Sequence, residues 1–187
     1  KLQVMNQDDI DQIVAQFGTA AARAKEAGFD GVEIHGGHGY MISGFLSPAL
    51  NQRDDRYGGS LENRARLLTE IIESVRNAVG DDFPLWCKLD SIEYGKTDGI
   101  TLTDAIEAAR LSEKAGADAI TVSAYHDANR GALHSESNIP HVPNRMVSNA
   151  AAIKNSLSIP VIASGRIEPD SAENHIASGQ YDFLGMG

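Results

Sequence analysis

The residue types most suited to chemistry stand close together in one segment, where His35, His38 and Tyr40 are separated largely by glycines. Two imidazoles can donate N–H hydrogen bonds to one substrate oxygen, and a phenol with a usual pKa near ~10 can deliver a proton to a carbanion or enolate. The glycines allow a tight turn that directs all three side chains to one place. This pattern favours catalysis over a turn whose histidines bind backbone carbonyls, or a metal pair assisted by Glu33.

A second candidate is Lys88, which lies in an apolar strand pattern. Alternation along a strand places Lys88 on the same face as Trp86 and Asp90. A lysine in a strand extends outward to solvent, pairs with a carboxylate such as Asp90 or Glu33, or sets a cation beside an electron-rich ring. The sequence leaves these three possibilities open.

Glycines near the end of the chain form a third candidate site. Gly165-Arg166 and the pair Gly185 and Gly187 follow the last two apolar runs. In βα barrels the loops after the last two strands commonly bind phosphate through backbone N–H groups. Each pair alone fits a simple turn, but together they favour a phosphate site. The glycines at 36–39 do not fit a dinucleotide motif, because they open a long loop rather than a helix.

A further histidine, His126, follows an apolar run that ends near Tyr125. Its position favours the same end of the sheet as His35, where it could act as a second substrate ligand or acid. A solvated loop histidine is an equally good interpretation, because His134 and His141 occur in the same long segment.

The elements that position these residues are predicted from apolar spacing. A helix over about 10–24, stopped by Gly28, precedes a strand over 31–35. Further helices are predicted over about 64–79, 103–115, 145–156 and 170–178, and strands over about 84–90, 119–124, 160–163 and from 182 onward. Helices that alternate with apolar strands are typical of right-handed βαβ units and a parallel sheet.

The fold class predicted is α/β, with five strands in 187 residues. A complete (β/α)8 TIM barrel takes ~250 residues, so the chain is interpreted as roughly the last five strands of one. Residues 1–187 are therefore expected to form part of one barrel domain that lacks about three βα units and the closing helix. A five-stranded doubly wound sheet fits the length better, but a helix would normally cover its last strand.

The connection between His35 and Arg64 has about 28 residues, far more than the ~2–6 usual for such loops, and long loops are usually functional. It starts at the carboxyl end of its strand, where barrel chemistry is located. Its charges are mixed in sign, which predicts pairing within the loop and attachment to the barrel rim rather than ligand binding. Ser60 is a suitable N-cap for the following helix.

Composition excludes several classes of partner. The 26 acidic and 16 basic residues give a formal charge of −10, which disfavours nucleic acid and anionic membranes. No apolar run approaches the ~20 residues of a membrane span, and the first residues do not resemble a signal peptide. The single cysteine, Cys87, favours a reducing compartment and hence the cytoplasm.

Beyond these features, the sequence resembles the Old Yellow Enzyme family of FMN-dependent NAD(P)H:flavin oxidoreductases and ene-reductases. The resemblance is specific over residues 30–66. It rests on DGVEIHGGHGY at 30–40, FLSP at 45–48, NQR at 51–53, DRYGGS at 55–60 and ENR at 62–64. Two departures are Gly44, where the family usually has a polar side chain, and the end of the sequence at Gly187, before the position of the arginine expected next.

The resemblance implies a barrel that binds FMN at its mouth. No residue is predicted to bind a metal in this interpretation. His35 and His38 match the pair that hydrogen-bonds the substrate carbonyl oxygen, and Tyr40 matches the proton donor. Lys88 matches a position that neutralises the N1/O2 edge of reduced flavin. Four residues match the phosphate loops, namely Gly165, Arg166, Gly185 and Gly187.

The reaction implied is ping-pong: NADH or NADPH reduces FMN, and flavin N5 then gives hydride to an activated alkene or enone while Tyr40 protonates it. The segment around His126 resembles the 2,4-dienoyl-CoA reductase branch, in which a histidine assists protonation. A homo-oligomer is compatible with the family. The alternatives are a metal-dependent barrel hydrolase or lyase using His35, His38 and Glu33, and an inactive fragment.

Overall fold

A single parallel sheet organises the chain. The computed structural model describes residues 4–126 and 143–186, with the backbone alone at His126. Its five strands are all parallel and neighbour one another in chain order. They are β1 (Val32–His35), β2 (Leu85–Tyr94), β3 (Ala119–His126), β4 (Val161–Ser164) and β5 (Phe183–Gly185).

Helices fill the connections between the strands and precede the first. They are α1 (Gln7–Glu26), α2 (Met41–Leu46), α3 (Leu61–Arg64), α4 (Arg66–Val79), α5 (Leu102–Ala115), α6 (Val147–Lys154) and α7 (Pro169–Ala177). The predicted alternation of helices and strands is confirmed. The main differences are in the long connection and two strands. The long connection contains the short helices α2 and α3, and β2 continues past Asp90 through a bulge to Tyr94. β3 was predicted to end at 124 but continues to His126, so the backbone of His126 is part of the strand and pairs with Tyr94.

Local sequence signals set the ends of several helices. Asn6 and Thr101 each form a capping box with the acidic residue three positions on, at the starts of α1 and α5. Ser60 accepts the Asn63 N–H and is an N-cap, but of the short helix α3; the helix predicted over 64–79 is α4, which has no side-chain cap. Gly116 ends α5 in the left-handed conformation, which a glycine adopts without a steric penalty.

Strand order distinguishes the two predicted architectures. A doubly wound sheet reverses its strand order at a switch point, whereas a barrel adds strands in sequence. The order β1-β2-β3-β4-β5 has no reversal. With right-handed crossovers, this order places all the crossover helices on one face of the sheet, as in a βα barrel.

The helix-covered face of the sheet is the core. Ile34, Cys87, Ile120 and Val161 form one row across four strands, and each is at most 3% exposed. Burial raises the pKa of the Cys87 thiol far above its usual range. Continuous burial on this face explains why alternate strand positions are apolar.

The opposite face of the sheet carries the polar side chains. Glu33 pairs with Trp86 in the register, and His35 pairs with Lys88, which in turn lies beside Thr121. Alternation along β1, β2 and β3 therefore places most of the candidate residues on one face and the core on the other. In the described ranges, none of the helices is both long and apolar enough to cross a bilayer.

The long connection after β1 is held to the rim by its charged residues, as predicted. Arg53 pairs with Asp55, and Arg56 pairs with Glu70 of α4. The hydrogen bond from Arg53 holds the pKa of Asp55 below its usual range. The catalytic candidates thus lie at the start of this loop, and its later part is fixed to helix α4.

Candidate active site

The three residues of the first candidate site lie together. The His35 and His38 rings have centroids 5.0 Å apart at 88°, and the His35 and Tyr40 rings are 5.3 Å apart at 67°. His35 ends β1, and Tyr40 is the N-cap residue of α2. The convergence predicted from their spacing is therefore present in the fold.

The segment between β1 and α2, residues 36–40, is here named the histidine turn. His38 has φ 62° and Gly39 has φ 72°, so two consecutive residues adopt the left-handed conformation. A Cβ on Gly39 would lie 2.7 Å from a ring carbon of Tyr125, so the turn passes directly against the end of β3. The turn leaves the Tyr40 side chain 66% exposed and accessible to a ligand.

Two polar groups of the sheet contact the histidine turn. The His38 N–H donates to Asp90 Oδ2 at 2.7 Å, and His38 Nε2 lies 2.8 Å from the Ser123 hydroxyl. The Ser43 hydroxyl also donates to Asp90 Oδ2, at 3.0 Å. Asp90 was one of two predicted carboxylate partners for Lys88, but these contacts connect it to the turn.

Glu33 is the carboxylate that pairs with Lys88, with Oε2 3.6 Å from Nζ. Its other oxygen accepts from the Trp86 indole at 2.8 Å and the Thr121 hydroxyl at 2.5 Å. Lys88 stands opposite His35 in the strand register. The cation is therefore adjacent to the histidines, at the same end of the sheet.

A cleft of about 650 Å³ adjoins Lys88 on this face. It brings together Lys88 and the predicted phosphate-loop residues Gly165, Arg166 and Gly185. Gly165 has φ 106° and Arg166 has φ 49°, so the backbone turns sharply after β4. Two cations at separate places in one cleft suit a ligand with both an electron-rich ring and a phosphate. The residues present thus fit FMN.

Two predicted site residues cannot be assessed in the same way. Gly187 and the side chain of His126 lie outside the described residues. Across residues 4–126 and 143–186, no three His, Cys, Asp or Glu side chains are grouped so that they could hold a metal ion. The alternative that used His35, His38 and Glu33 as metal ligands has no support from this geometry.

Sequence reasoning missed Ser123 and Thr121, the polar side chains of β3. Both are buried, at 3% and 4% exposure, and both contact residues of the candidate site. Their polar character at alternate positions, Thr121-Val122-Ser123, was an available signal. Buried serine and threonine hydroxyls need hydrogen-bond partners, so such a strand indicates polar side chains on the neighbouring strands.

A family model matches the chain over residues 2–187, and it describes the NADH:flavin oxidoreductase / NADH oxidase family. The chain belongs to this family. The family is enzymatic and FMN-dependent, which confirms the predicted resemblance.

Curated relatives agree with this assignment. An NADH oxidase of Thermoanaerobacter brockii is 40% identical over 186 residues, which cover 96% of this chain and 27% of the relative. An NADPH dehydrogenase of Bacillus subtilis is 40% identical over 186 residues, which cover 98% of this chain and 52% of the relative. The chain thus spans between about a quarter and a half of the length of these relatives.

Solved structures confirm the barrel architecture. A 2-naphthoyl-CoA reductase in complex with 2-naphthoyl-CoA superposes with a TM-score of 0.88 at 33% identity, over 97% of this chain and 27% of that one. Morphinone reductase in complex with tetrahydroNAD has a TM-score of 0.77 at 24% identity, over 99% of this chain and 47% of that one. The latter similarity concerns the fold alone.

Proposed function

We propose that this chain is the catalytic segment of an FMN-dependent oxidoreductase that uses NADH or NADPH to reduce a carbon–carbon double bond conjugated to a carbonyl. The observation that carries the proposal is the grouping of His35, His38 and Tyr40 beside Lys88, which pairs with His35 in the register. The hydrogen-bond donors, the proton donor and the cation would then all contact the substrate and the FMN bound beside it.

FMN would be held by the cleft beside β4 and β5. Lys88 would bind the N1/O2 edge of the ring, and Arg166 with the backbone of Gly165 and Gly185 would bind the phosphate. Gly187 belongs to the same proposed phosphate loop. Bound FMN would supply the hydride, which it receives from the nicotinamide cofactor.

His35 and His38 would bind the substrate carbonyl oxygen. Their ring centroids are 5.0 Å apart, so each ring would donate one N–H to the same oxygen. As hydride reaches the β-carbon, negative charge grows on this oxygen. Preorganised donors stabilise that charge more strongly than they stabilise the neutral carbonyl, which lowers the barrier.

Tyr40 would protonate the α-carbon of the resulting enolate. Its ring lies 5.3 Å from that of His35, so the phenol and the oxygen-binding site are adjacent. The high exposure of Tyr40 allows a substrate to reach it, and the phenol regains its proton from solvent. His126 is proposed as an assisting acid at the end of β3.

The substrate class follows from these donors and from one relative. The structure with TM-score 0.88 was solved with 2-naphthoyl-CoA, in which an aromatic system is conjugated to a thioester carbonyl. A carbonyl oxygen for the histidines and an adjacent reducible double bond are what the site requires. We therefore propose a conjugated ketone or thioester of small-molecule size.

The proposal is tested on the full-length protein. Purified enzyme should show bound-flavin absorption, lose it on anaerobic addition of NADH or NADPH, and recover it on addition of 2-cyclohexenone. Flavin that is reduced but never reoxidised by an enone or an enoyl thioester would overturn the substrate class. Protein without flavin, but with a stoichiometric divalent ion, would overturn the function.

A further inference from the structure

The side chains of Asp90 and Ser123, on neighbouring strands, both contact His38 of the histidine turn. Asp90 Oδ2 accepts the backbone N–H of His38 at 2.7 Å, and Asp90 Oδ1 lies 3.9 Å from the ring Nε2. The Ser123 hydroxyl makes the shorter contact with the ring, at 2.8 Å from Nε2. Asp90 and Ser123 are direct partners in the register of β2 and β3. Adjacent strands therefore hold the backbone and the ring of His38 together.

The Asp90 carboxylate is built into the turn. Its side chain has 0% exposure, and a buried carboxylate is costly unless donors satisfy it. The His38 N–H and the Ser43 hydroxyl supply such donors, at 2.7 and 3.0 Å. A Cβ on Gly37 would lie 2.8 Å from Asp90 Oδ1, so the absence of a side chain at position 37 makes room for the carboxylate.

The backbone of His38 needs such a constraint. Its φ of 62° lies in the left-handed region that residues with a Cβ rarely adopt. Strained conformations of this kind persist where the surroundings determine them, and they concentrate at functional sites. The charge-assisted hydrogen bond to Asp90 stabilises this conformation, because it requires the His38 N–H to point toward β2.

Ser123 acts on the other end of the residue. Its hydroxyl can donate to Nε2, and the neutral ring then carries its proton on Nδ1, the nitrogen that would bind the substrate oxygen. The contact at Nε2 of 2.8 Å fixes the ring plane, which stands at 88° to His35. Without the hydroxyl, rotation of the ring about its bond to Cβ loses this restraint.

We propose that Asp90 and Ser123 are positioning residues for His38: Asp90 sets the backbone of the histidine turn, and Ser123 sets the plane of the ring that meets the substrate oxygen. This inference rests on the proposed function, because it assigns that oxygen to the ring. Misplacement of a catalytic group by about 1 Å can cost ~10²-fold in rate, so positioning of this kind is measurable.

The first test compares Ser123→Ala with Ser112→Ala in the full-length enzyme. Ser112 is also buried, but its hydroxyl donates to Ala108 within α5, away from the site. The probe is 4-nitrophenolate, whose oxygen anion would accept hydrogen bonds from the histidine pair. Its dissociation constant should rise about 3- to 10-fold in Ser123→Ala, the loss expected for one hydrogen bond, with FMN content unchanged. Ser112→Ala should match wild type, and Ser123→Thr should restore binding.

The second test reads the ring directly. In enzyme labelled with ¹⁵N-histidine, the His38 Nε2 resonance should shift in Ser123→Ala and not in Ser112→Ala. A serine that only supports packing would change stability without this shift. An unchanged resonance together with unchanged 4-nitrophenolate affinity would overturn the role of Ser123.

Asp90 is tested with Asp90→Asn, which keeps the shape and removes the charge. Turnover of the enone should fall about 10-fold through kcat while FMN content stays the same. Unchanged kcat would overturn the role of Asp90. A wild-type enzyme that lacks flavin or fails to reduce enones would refute the proposed function instead, and the NMR comparison would still test the Ser123 contact, since it needs no turnover.

Discussion

At the scale of single residues, the candidate site combines groups that differ in what their removal should affect. Tyr40 is a highly exposed phenol, whereas His38 is anchored to Asp90 and Ser123. A proton donor affects the chemical step, and an oxyanion ligand affects binding as well as the chemical step. Substitution of Tyr40 should therefore change turnover alone, whereas substitution of a histidine should also change ligand affinity.

Tyr40→Phe in the full-length enzyme should leave flavin reduction by NAD(P)H intact and lower enone turnover by ~10² or more, the range for loss of a general acid. Stopped-flow measurement of the two half-reactions checks this. Tyr181→Phe is the matched control, because Tyr181 is a buried tyrosine beside His175 of α7. An equal loss in both half-reactions would contradict the role of Tyr40, and an additional loss in a Tyr40/His126 double variant would reveal a shared acid.

His35→Ala and His38→Ala should each weaken binding of 4-nitrophenolate by about 10-fold or more, while FMN content stays near normal. The reason is the loss of a hydrogen bond to a charged oxygen. Titration followed by flavin absorbance gives both quantities, with His175→Ala as a control histidine on α7. Loss of a bound divalent ion with either substitution would instead favour a metal enzyme.

At the scale of elements, buried side chains attach the long connection between β1 and α4 to β2 and α5. Arg64 is 8% exposed and donates to the Leu46 and Gly59 carbonyls and to Asp104 of α5. The Ser47 hydroxyl, in the FLSP motif, donates at 2.5 Å to the buried Glu93 of β2. Arg64 and Ser47, two residues of the family-specific motif, thus fix the geometry of this loop.

Arg64→Met should destabilise the full-length protein by about 2–4 kcal/mol, because it leaves a carboxylate and two carbonyls without their shared donor. Denaturant unfolding followed by circular dichroism and flavin release measures the effect. Arg110→Met is the control: its ion pair with Glu107 is 53% exposed on the arginine side, and such surface pairs are worth about 0–1 kcal/mol. Equal effects of the two substitutions would show that the loop does not depend on Arg64.

At the scale of the whole molecule, the described sheet has one face covered by helices and one face that a closed barrel would enclose. Phe183 on that second face is 56% exposed, and Met186 is 70% exposed. The strands β1 and β5 form the two edges of the described sheet. A barrel removes such edges only when its strands close into a ring.

Residues 1–187 expressed alone should therefore bind FMN weakly or not at all and should associate in solution. The cause is the apolar surface and the unpaired strand edges that a complete barrel would cover. Flavin titration and sedimentation velocity, with the full-length protein in parallel, measure both properties. A monomeric segment that holds FMN with full-length affinity would show that the truncated-barrel interpretation is wrong.

The sequence alone was sufficient for the element order, the parallel sheet and the principal candidates. Apolar spacing and caps act over a few residues, so signals such as Thr101 and Gly116 are visible without tertiary structure. Strand alternation likewise put His35 and Lys88 on the face opposite the core. The resemblance to the family was recognised from the motif over residues 30–66, before the family model confirmed it over residues 2–187.

The tertiary structure alone decided which carboxylate meets which partner. Asp90 and Glu33 both lie on the face of the sheet opposite the helices. Their positions in the sequence did not show that Glu33 pairs with Lys88 while Asp90 binds the His38 backbone. Such contacts join positions far apart in the chain, across a register that depends on how the strands pack. Ser123 entered the site for the same reason: the alternating hydroxyls of Thr121 and Ser123 indicate a polar face, but only the packed strands show that Ser123 contacts the His38 ring.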